Sequence, residues 1–310
     1  MPTRRTLTAL AAGLAATLLA GCGAGGGGGA GDARTAVATT TQVADLARAV
    51  AGERAEVRQI LRPNSDPHAY EPRPSDVKAV AGAAVVLRSG GGLDDWLGDV
   101  VDNAESQATT TTLIDAVRTR RGEDGRVDPH WWQDPRNAIV AVRRIRDVMI
   151  AADPGGRAAY TANAAAYLAR LGALDRMIGR CMRSIPPVRR RLVTDHDALG
   201  AYADRYGIEI VGTVVPGVST QAQASAGEVA RLVRTIRSAR VRTIFPQGST
   251  SAKLARAVAR DAGATIGPAL YADTLGPAGS PGATYVGSLR FNTRALAAGF
   301  AGAAGPACQL

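Results

Sequence analysis

The sequence predicts an α/β protein with two lobes, each a small parallel sheet with flanking helices. Two observations support this prediction. From residue 35 onward, short apolar runs alternate with amphipathic stretches of helical period, and the same alternation starts again after residue 190. Between the two series lies one long stretch with a single apolar stripe, which predicts a helix that connects the lobes.

The first series predicts four strands and three helices. The strands are expected at Thr35–Thr40, Val57–Leu61, Ala83–Leu87 and Thr110–Ile114. The helices are expected at Thr41–Ala51, Pro74–Ala81 and Asp94–Ala104. A further helix should begin at Asp134-Pro135, because aspartate is a good N-cap and proline suits the first helical position.

The second series repeats this pattern. Its strands are expected at Arg191–Asp195, Glu209–Val214, Val241–Phe245 and Ala264–Leu270. Its helices are expected at Asp197–Arg205, Ala226–Arg237 and Ser251–Ala262. Ser225 and Glu228 have the spacing of a capping box, which predicts the start of the middle helix. Strands that alternate with helices form a parallel sheet, so we expect one sheet in each half.

One long helix is predicted between the two series, over residues 155–185. Apolar side chains recur there every three or four residues, at Tyr160, Ala164, Leu168, Leu171, Leu174, Ile178 and Met182. The pair Pro186-Pro187 should end the helix. At ~1.5 Å per residue the helix would be roughly 45 Å long. Since one lobe does not need that length, we expect the helix to pack on both.

The first residues indicate export. Arg4 and Arg5 precede an apolar stretch, residues 7–19, which is shorter than the roughly 20 residues needed to cross a bilayer. The stretch ends in Leu19-Ala20-Gly21-Cys22, a lipobox pattern, although an ordinary signal peptide with an incidental cysteine is the alternative. We interpret residues 1–21 as a lipoprotein signal peptide and Cys22 as the lipid-bearing N-terminus, anchored to the outer face of the cell membrane.

Residues 23–31 are almost all glycine and alanine, which predicts a flexible tether between the lipid and the folded domain. We therefore divide the rest of the chain into four segments. They are the anchor and tether (22–34), the N-terminal lobe (35–153), the linking helix (154–187) and the C-terminal lobe (188–310).

Charge and cysteine content restrict the partners. The formal net charge is +10, and loss of Arg4 and Arg5 with the signal lowers it to about +8. The densest basic run, Arg189-Arg190-Arg191, has no interleaved aromatic residues, so we expect a solvated helix exit and no nucleic-acid partner. We also expect the protein to be a monomer. Cys181 and Cys308 remain in an exported chain, where disulfides persist, but their spacing leaves open whether they pair.

The three histidines of the chain each lie in a short motif suited to metal binding. His68 follows Asp66-Pro67, and His130 follows Asp128-Pro129. His196 directly follows the predicted strand Arg191–Asp195, and ligands of open α/β sheets bind outside the carboxyl ends of the strands. Imidazole is the commonest side-chain ligand of zinc. We therefore expect the three histidines to share one metal site.

The chain resembles the zinc/manganese solute-binding lipoproteins of bacterial ABC importers, over nearly all of its mature length. The motifs that carry the resemblance are Asp66-Pro67-His68-Ala69-Tyr70-Glu71-Pro72 with Pro74-Ser75-Asp76, Pro129-His130-Trp131 with Asp134-Pro135, His196-Asp197-Ala198 with Tyr202 and Tyr206-Gly207, Ile244-Phe245, and Tyr285 with Asn292. The resemblance implies two α/β lobes joined by a rigid helix, with a metal ion in the cleft between them.

Carried over residue by residue, the resemblance implies four metal ligands. They are His68 and His130 from the first lobe, and His196 and Asp273 from the second. Relatives that prefer manganese often carry glutamate at the position of His196, so an imidazole there favours zinc. The expected function is capture of Zn²⁺ and its delivery to an ABC permease in the membrane. A manganese receptor and an adhesin-type lipoprotein are the alternatives.

A zinc hydrolase is the rival from another class. It needs an open coordination position and a general base, and the sequence contains no His-Glu-x-x-His motif. Three histidines and one carboxylate instead fill a tetrahedral set, which is typical of sites that bind without catalysis. We therefore expect a binding protein and no enzyme.

The sequence also departs from the family pattern. Gln247 stands where a glutamate is usual, and residues 118–126 form a short basic segment in place of the histidine-rich loop of some relatives. We expect less negative charge around the cleft and no metal-gathering loop. The candidate hydrogen-bond acceptors that orient the imidazoles are Asp66, Asp128, Asp134 and Asp197. Asp134 could instead cap a helix, and Asp66 and Asp128 could instead only shape their turns.

Overall fold

A computed structural model describes residues 35–122, 124–249, 251–301 and 308. Its first half contains a parallel four-stranded sheet of order β2-β1-β3-β4. The strands are β1 (Thr35–Ala38), β2 (Glu56–Gln59), β3 (Val85–Arg88) and β4 (Thr109–Thr112). The helices of this half are α1 (Thr41–Ala51), α2 (Pro74–Ala81), α3 (Leu97–Asn103) and α4 (Pro135–Ala152).

The two central strands of this sheet, β1 and β3, are buried on both faces because helices cover both. Ala36, Ala38 and Leu87 face the core formed with α1 and α4. The alternate residues Val37 and Val86 pack in a second core with α2 and α3. Side chains alternate along a strand, so each run of apolar residues serves two layers of helix.

The second half repeats this arrangement, but two of its strands have only 2 residues each. Its strands are β5 (Arg191–Thr194), β6 (Glu209–Thr213), β7 (Thr243–Ile244) and β8 (Thr265–Ile266). β5 pairs with β6 and β7 pairs with β8, all parallel, and a bridge between Thr194 and Phe245 joins the two pairs. The resulting order, β6-β5-β7-β8, matches that of the first half. The helices that follow these strands are α6 (Gly200–Tyr206), α7 (Ala226–Ser238) and α8 (Lys253–Ala262).

The long central helix, α5, spans Arg157–Arg183 and follows a 3₁₀ turn at Pro154–Gly156. Its 27 residues correspond to about 40 Å. It packs against α1 and α4 of the first half, and against α6 and the C-terminal helix α9 (Tyr285–Ala301) of the second. The buried stripe differs from the predicted one at one point, since Tyr167 is buried where Leu168 was expected to be.

The predicted α/β class, the parallel pairing and the long helix are confirmed, whereas several predicted ends were wrong. Strand β8 stops at Ile266, because Pro268 cannot donate a backbone hydrogen bond to a sheet. Helix α3 begins at Leu97 because the carboxylate of Asp94 accepts hydrogen bonds from the backbone of Ser89 and Gly90, in the turn after β3.

Helix α9 was not predicted. It buries Tyr285, Leu289, Leu296 and Phe300 in the core shared with α5. The structure thus has a continuous apolar core that runs from the first sheet through α5 to the second half. None of the helices in the described part of the chain is both long and apolar enough to span a bilayer.

Candidate metal centre

The three histidines and Asp273 lie together at the carboxyl ends of the two sheets. His68 is in a 3₁₀ turn, Pro67–Ala69, in the segment after β2. His130 precedes another 3₁₀ turn, Trp131–Gln133, which leads into α4. His196 follows β5 by two residues. Among the described residues these four side chains form the one group of three or more potential metal ligands, with ligand atoms all within 4.8 Å of one another.

Three of the six distances between the four donor atoms match the edge of a tetrahedral zinc site. His68 Nε2 lies 3.3 Å from His130 Nε2, and the Asp273 Oδ1 atom lies 3.3 Å from His130 Nε2 and 3.4 Å from His196 Nε2. The edge of a tetrahedron is about 1.63 times the centre-to-corner distance, so zinc bonds of about 2.0–2.1 Å require donors about 3.3–3.4 Å apart.

Three residues of the group are fully buried, and two of their candidate ligand atoms lack a hydrogen-bond partner. His130, His196 and Asp273 are at most 1% exposed. His196 Nε2 and Asp273 Oδ1 are buried without a hydrogen-bond partner. Unsatisfied buried polar atoms are costly and uncommon in folded proteins. A cation between them would satisfy both atoms, which marks the centre of the group as a binding position.

His130 is oriented by the carboxylate two residues before it. Asp128 Oδ1 lies 2.7 Å from His130 Nδ1 and accepts a hydrogen bond of 2.9 Å from the His130 backbone N–H. A carboxylate at Nδ1 holds a proton on that nitrogen and orients the ring, so Nε2 is the atom that faces the metal position. Asp128 therefore both shapes its turn and orients the imidazole, the two roles that the sequence left as alternatives.

The electrostatic environment favours a positive charge at the centre. Burial lowers the pKa of His130, but the carboxylates of Asp128 and Asp273 outweigh this effect and raise it to about 10. Burial and the neighbouring His130 lower the pKa of His68 to about 3. Burial raises the pKa of Asp273, yet His196 and His130 hold it well below its usual value. One ionised carboxylate thus faces three imidazoles.

Asp273 is fixed by contacts with the first half of the chain. The carbonyl oxygen of Ala272 accepts hydrogen bonds from the side chains of Gln42, Trp132 and Gln133, at 3.3, 2.9 and 3.0 Å. The hydroxyl of Ser249 donates to Asp273 Oδ2 at 2.9 Å. These contacts hold the backbone beside Asp273 and occupy one of its two carboxylate oxygens. The other oxygen, Oδ1, faces the histidines and has no hydrogen-bond partner.

A family model described as zinc-uptake complex component A periplasmic (ZnuA) matches residues 36–299. The chain belongs to the ZnuA family. The manganese-binding lipoprotein MntA of Bacillus subtilis is 33% identical over 298 residues, which cover 93% of this chain and 97% of that protein. The iron-binding protein YfeA of Yersinia pestis is 29% identical over 267 residues, covering 85% of each chain.

A solved structure agrees with this assignment. The periplasmic zinc binding protein TroA from Treponema pallidum has a TM-score of 0.81 and 27% sequence identity, and the match covers 86% of this chain and 99% of that chain. ZnuA-family proteins are solute-binding components of metal importers and are not enzymes. The chain is accordingly a metal-binding receptor of the ABC-importer type, and the hydrolase alternative is set aside.

Other residues of the ZnuA-family motifs have structural roles. Asp134 caps α4 by accepting a hydrogen bond from the Arg136 backbone. Asp66 accepts hydrogen bonds from the His68 backbone and from the hydroxyl of Thr220, so it shapes the turn and contacts the second half. Within the described part of the chain, neither Asp134 nor Asp66 forms a hydrogen bond with an imidazole nitrogen. Asp197 pairs with Arg120, at 3.2 Å, instead of a histidine.

Two residues important at this ZnuA-type centre gave no signal in the sequence. Ser249 lies in the segment after β7 and acts only through its contact with Asp273. Arg120 belongs to the basic segment noted for lacking histidine, yet its guanidinium contacts Asp128, Asp197 and Asp204. Gln247 stands where the family usually has glutamate. Its backbone N–H donates a hydrogen bond to the Asp195 carboxylate, and its side-chain amide donates to the backbone carbonyl of His196.

The two cysteines other than Cys22 form a disulfide bond in the structure. Cys181, near the end of α5, forms a disulfide with Cys308, with Cα atoms 5.3 Å apart. This distance is within the usual range for disulfides. The bond would tie the C-terminal tail to the central helix. Cys22 and the signal peptide lie outside the described residues.

Proposed function

We propose that this protein captures Zn²⁺ outside the cell membrane and delivers it to the permease of an ABC importer, with His68, His130, His196 and Asp273 as the zinc ligands. The observation that carries the proposal is the closed set of three imidazole nitrogens and one carboxylate oxygen. Three of the donor–donor distances are 3.3–3.4 Å, the separation that tetrahedral zinc bond lengths require.

The choice of zinc over manganese rests on the donor atoms. Manganese favours oxygen ligands and more than four of them, whereas zinc favours nitrogen and four-coordinate geometry. The second oxygen of Asp273 accepts a hydrogen bond from Ser249, which disfavours chelation of the ion by both oxygens. The names of relatives refer to manganese, iron and zinc, so sequence similarity alone does not identify the metal that this protein binds.

We further propose that a lipid on Cys22 anchors the protein at the outer face of the membrane, and that it works as a monomer. Curated relatives named as lipoproteins support the anchor, among them MntA of Bacillus subtilis. A relative from Streptococcus mutans is named a metal ABC transporter substrate-binding lipoprotein, which supports a permease partner in the same membrane. An adhesin role has no observation in its favour.

The test is metal titration of the purified, demetallated mature protein and of four ligand variants. Structural zinc sites bind with apparent free energies of about 10–16 kcal/mol, so loss of one ligand in four should cost roughly 3–4 kcal/mol, or about 100- to 1000-fold in Kd. The variants are His68→Ala, His130→Ala, His196→Ala and Asp273→Asn.

Tyr70→Phe is the matched control for the His68 variant. Tyr70 lies in the same motif, but its hydroxyl donates to Asp76 and its ring packs on Trp96, away from the histidines. We expect its zinc affinity to equal that of the parent. Parental affinity in all four ligand variants would refute the site, and a parent that prefers manganese at equal free concentrations would refute the choice of metal.

A further inference from the structure

We propose that Arg120 is a latch across the metal site, which joins the residue that orients His130 to the residue that follows His196 and thereby sets how fast the metal leaves. This inference rests on the function proposed above. Arg120 touches no metal ligand itself, so its role is to position the segments that carry them.

The guanidinium of Arg120 contacts three carboxylates from two parts of the chain. Its Nη1 atom lies 2.9 Å from Asp128 Oδ2 and 3.2 Å from Asp197 Oδ2. Its Nε atom lies 3.1 Å from Asp204. Asp128 belongs to the segment before His130, whereas Asp197 and Asp204 follow His196. One side chain therefore connects the two halves of the chain beside the metal centre.

The contact between Arg120 and Asp128 is linked directly to His130, one of the proposed zinc ligands. Asp128 uses Oδ2 for Arg120 and Oδ1 for the ring nitrogen and the backbone N–H of His130. Asp128 is only 1% exposed at its side chain, and Asp197 is 5% exposed. Arg120 acts on the ion only through Asp128, which orients His130, and loss of such an orienting contact lowers metal affinity. The expected effect of Arg120 is therefore on metal release.

The backbone around Arg120 is built to hold this side chain in place. The backbone carbonyl of Arg120 accepts a hydrogen bond from the Asp128 N–H, and Arg121 pairs antiparallel with Val127. The guanidinium lies against Gly200, the first residue of α6. A Cβ atom at position 200 would overlap the guanidinium, so the absence of a side chain there makes room for the latch.

The position of Gly200 allows the latch to be broken without a change of charge. Gly200→Ala should displace the guanidinium from Asp197, while every charged group remains in the protein. Arg120→Lys also keeps the charge, but a single ammonium cannot reproduce the fork of contacts made by a guanidinium. Arg120→Gln would be a poorer test, because it also removes a positive charge, and this loss by itself would favour a bound cation. Both variants keep the charge and avoid this second effect.

The experiment measures zinc release from the loaded protein into excess chelator by stopped flow at 25 °C. We expect Arg120→Lys and Gly200→Ala each to release zinc about tenfold faster or more, with one ion still bound per chain and little change in the association rate. The matched control is Arg126→Lys, because Arg126 is an exposed cation of the same basic segment whose ion pair is with Asp124. Its release rate should equal that of the parent.

A second measurement does not depend on metal. In the demetallated protein we expect faster amide hydrogen exchange around residues 128–130 and 196–200 in both latch variants, but not in Arg126→Lys. Parental release rates and parental exchange in Arg120→Lys and Gly200→Ala would overturn the inference. If the parent binds no zinc, the proposed function fails, and the exchange result then decides the latch by itself: unchanged exchange refutes it.

Discussion

Zinc binding is expected to displace about one proton at neutral pH, and that proton comes from His130. The carboxylates of Asp128 and Asp273 outweigh the effect of burial and raise the pKa of His130 to about 10, so the imidazole is protonated in the empty site at pH 7. The pKa of His68 is lowered to about 3, mainly by burial, so His68 is neutral and ready to bind. Zinc must therefore replace the proton on His130 Nε2.

The size of the pH effect on zinc affinity follows from these pKa values. While His130 is protonated in the empty site, each rise of one pH unit strengthens the apparent affinity about tenfold, or about 1.4 kcal/mol. We therefore expect a rise of about tenfold between pH 7.5 and 8.5, and a continuous fall toward pH 5. Three imidazoles with ordinary pKa values of about 6.5 would give less than about a 1.5-fold change over the same upper interval.

The assay combines two measurements. Competition with a chelator of known pH dependence gives the affinity, and calorimetry in two buffers of different ionisation enthalpy counts the protons released per zinc ion. Asp128→Asn is the informative variant, because it removes a carboxylate that raises the pKa of His130 and should lower the proton count at pH 8. An affinity that is flat above pH 7.5, with fewer than about 0.3 protons released, would falsify the reasoning.

Three other predictions concern the rest of the chain. His196→Glu should lower the ratio of zinc to manganese affinity by about tenfold or more, because a carboxylate replaces a nitrogen donor; an unchanged ratio, from parallel titrations, would assign selectivity to other features. Cys22→Ser should release the protein from the membrane fraction with unaltered zinc affinity, and retention would reveal another anchor. Replacing both Cys181 and Cys308 by serine should lower the unfolding free energy by about 2–4 kcal/mol, seen as a lower Tm, whereas an unchanged Tm would argue against the disulfide.

The sequence predicted the class of fold and the three imidazoles because these depend on local patterns. Alternating apolar runs fix strand and helix, and a stripe of three- and four-residue spacing fixes the long helix α5. The Asp-Pro turns before His68 and His130 place each imidazole within a few residues of an element end. Asp273 was named only through the resemblance to a family, since aspartate before glycine-rich turns is common.

Tertiary structure decided what surrounds these residues. Ser249 meets Asp273 across 24 positions in the chain, Gln42 meets Ala272 across 230, and Arg120 meets Asp197 across 77. No local period specifies such pairs, because each depends on how the two sheets meet through α5. The basic segment 118–126 was noted in the sequence only for its lack of histidine, yet in the fold its Arg120 contacts carboxylates from both halves. The sequence therefore determined which atoms are available to a metal, while packing of the two halves determined their spacing and the groups that hold them.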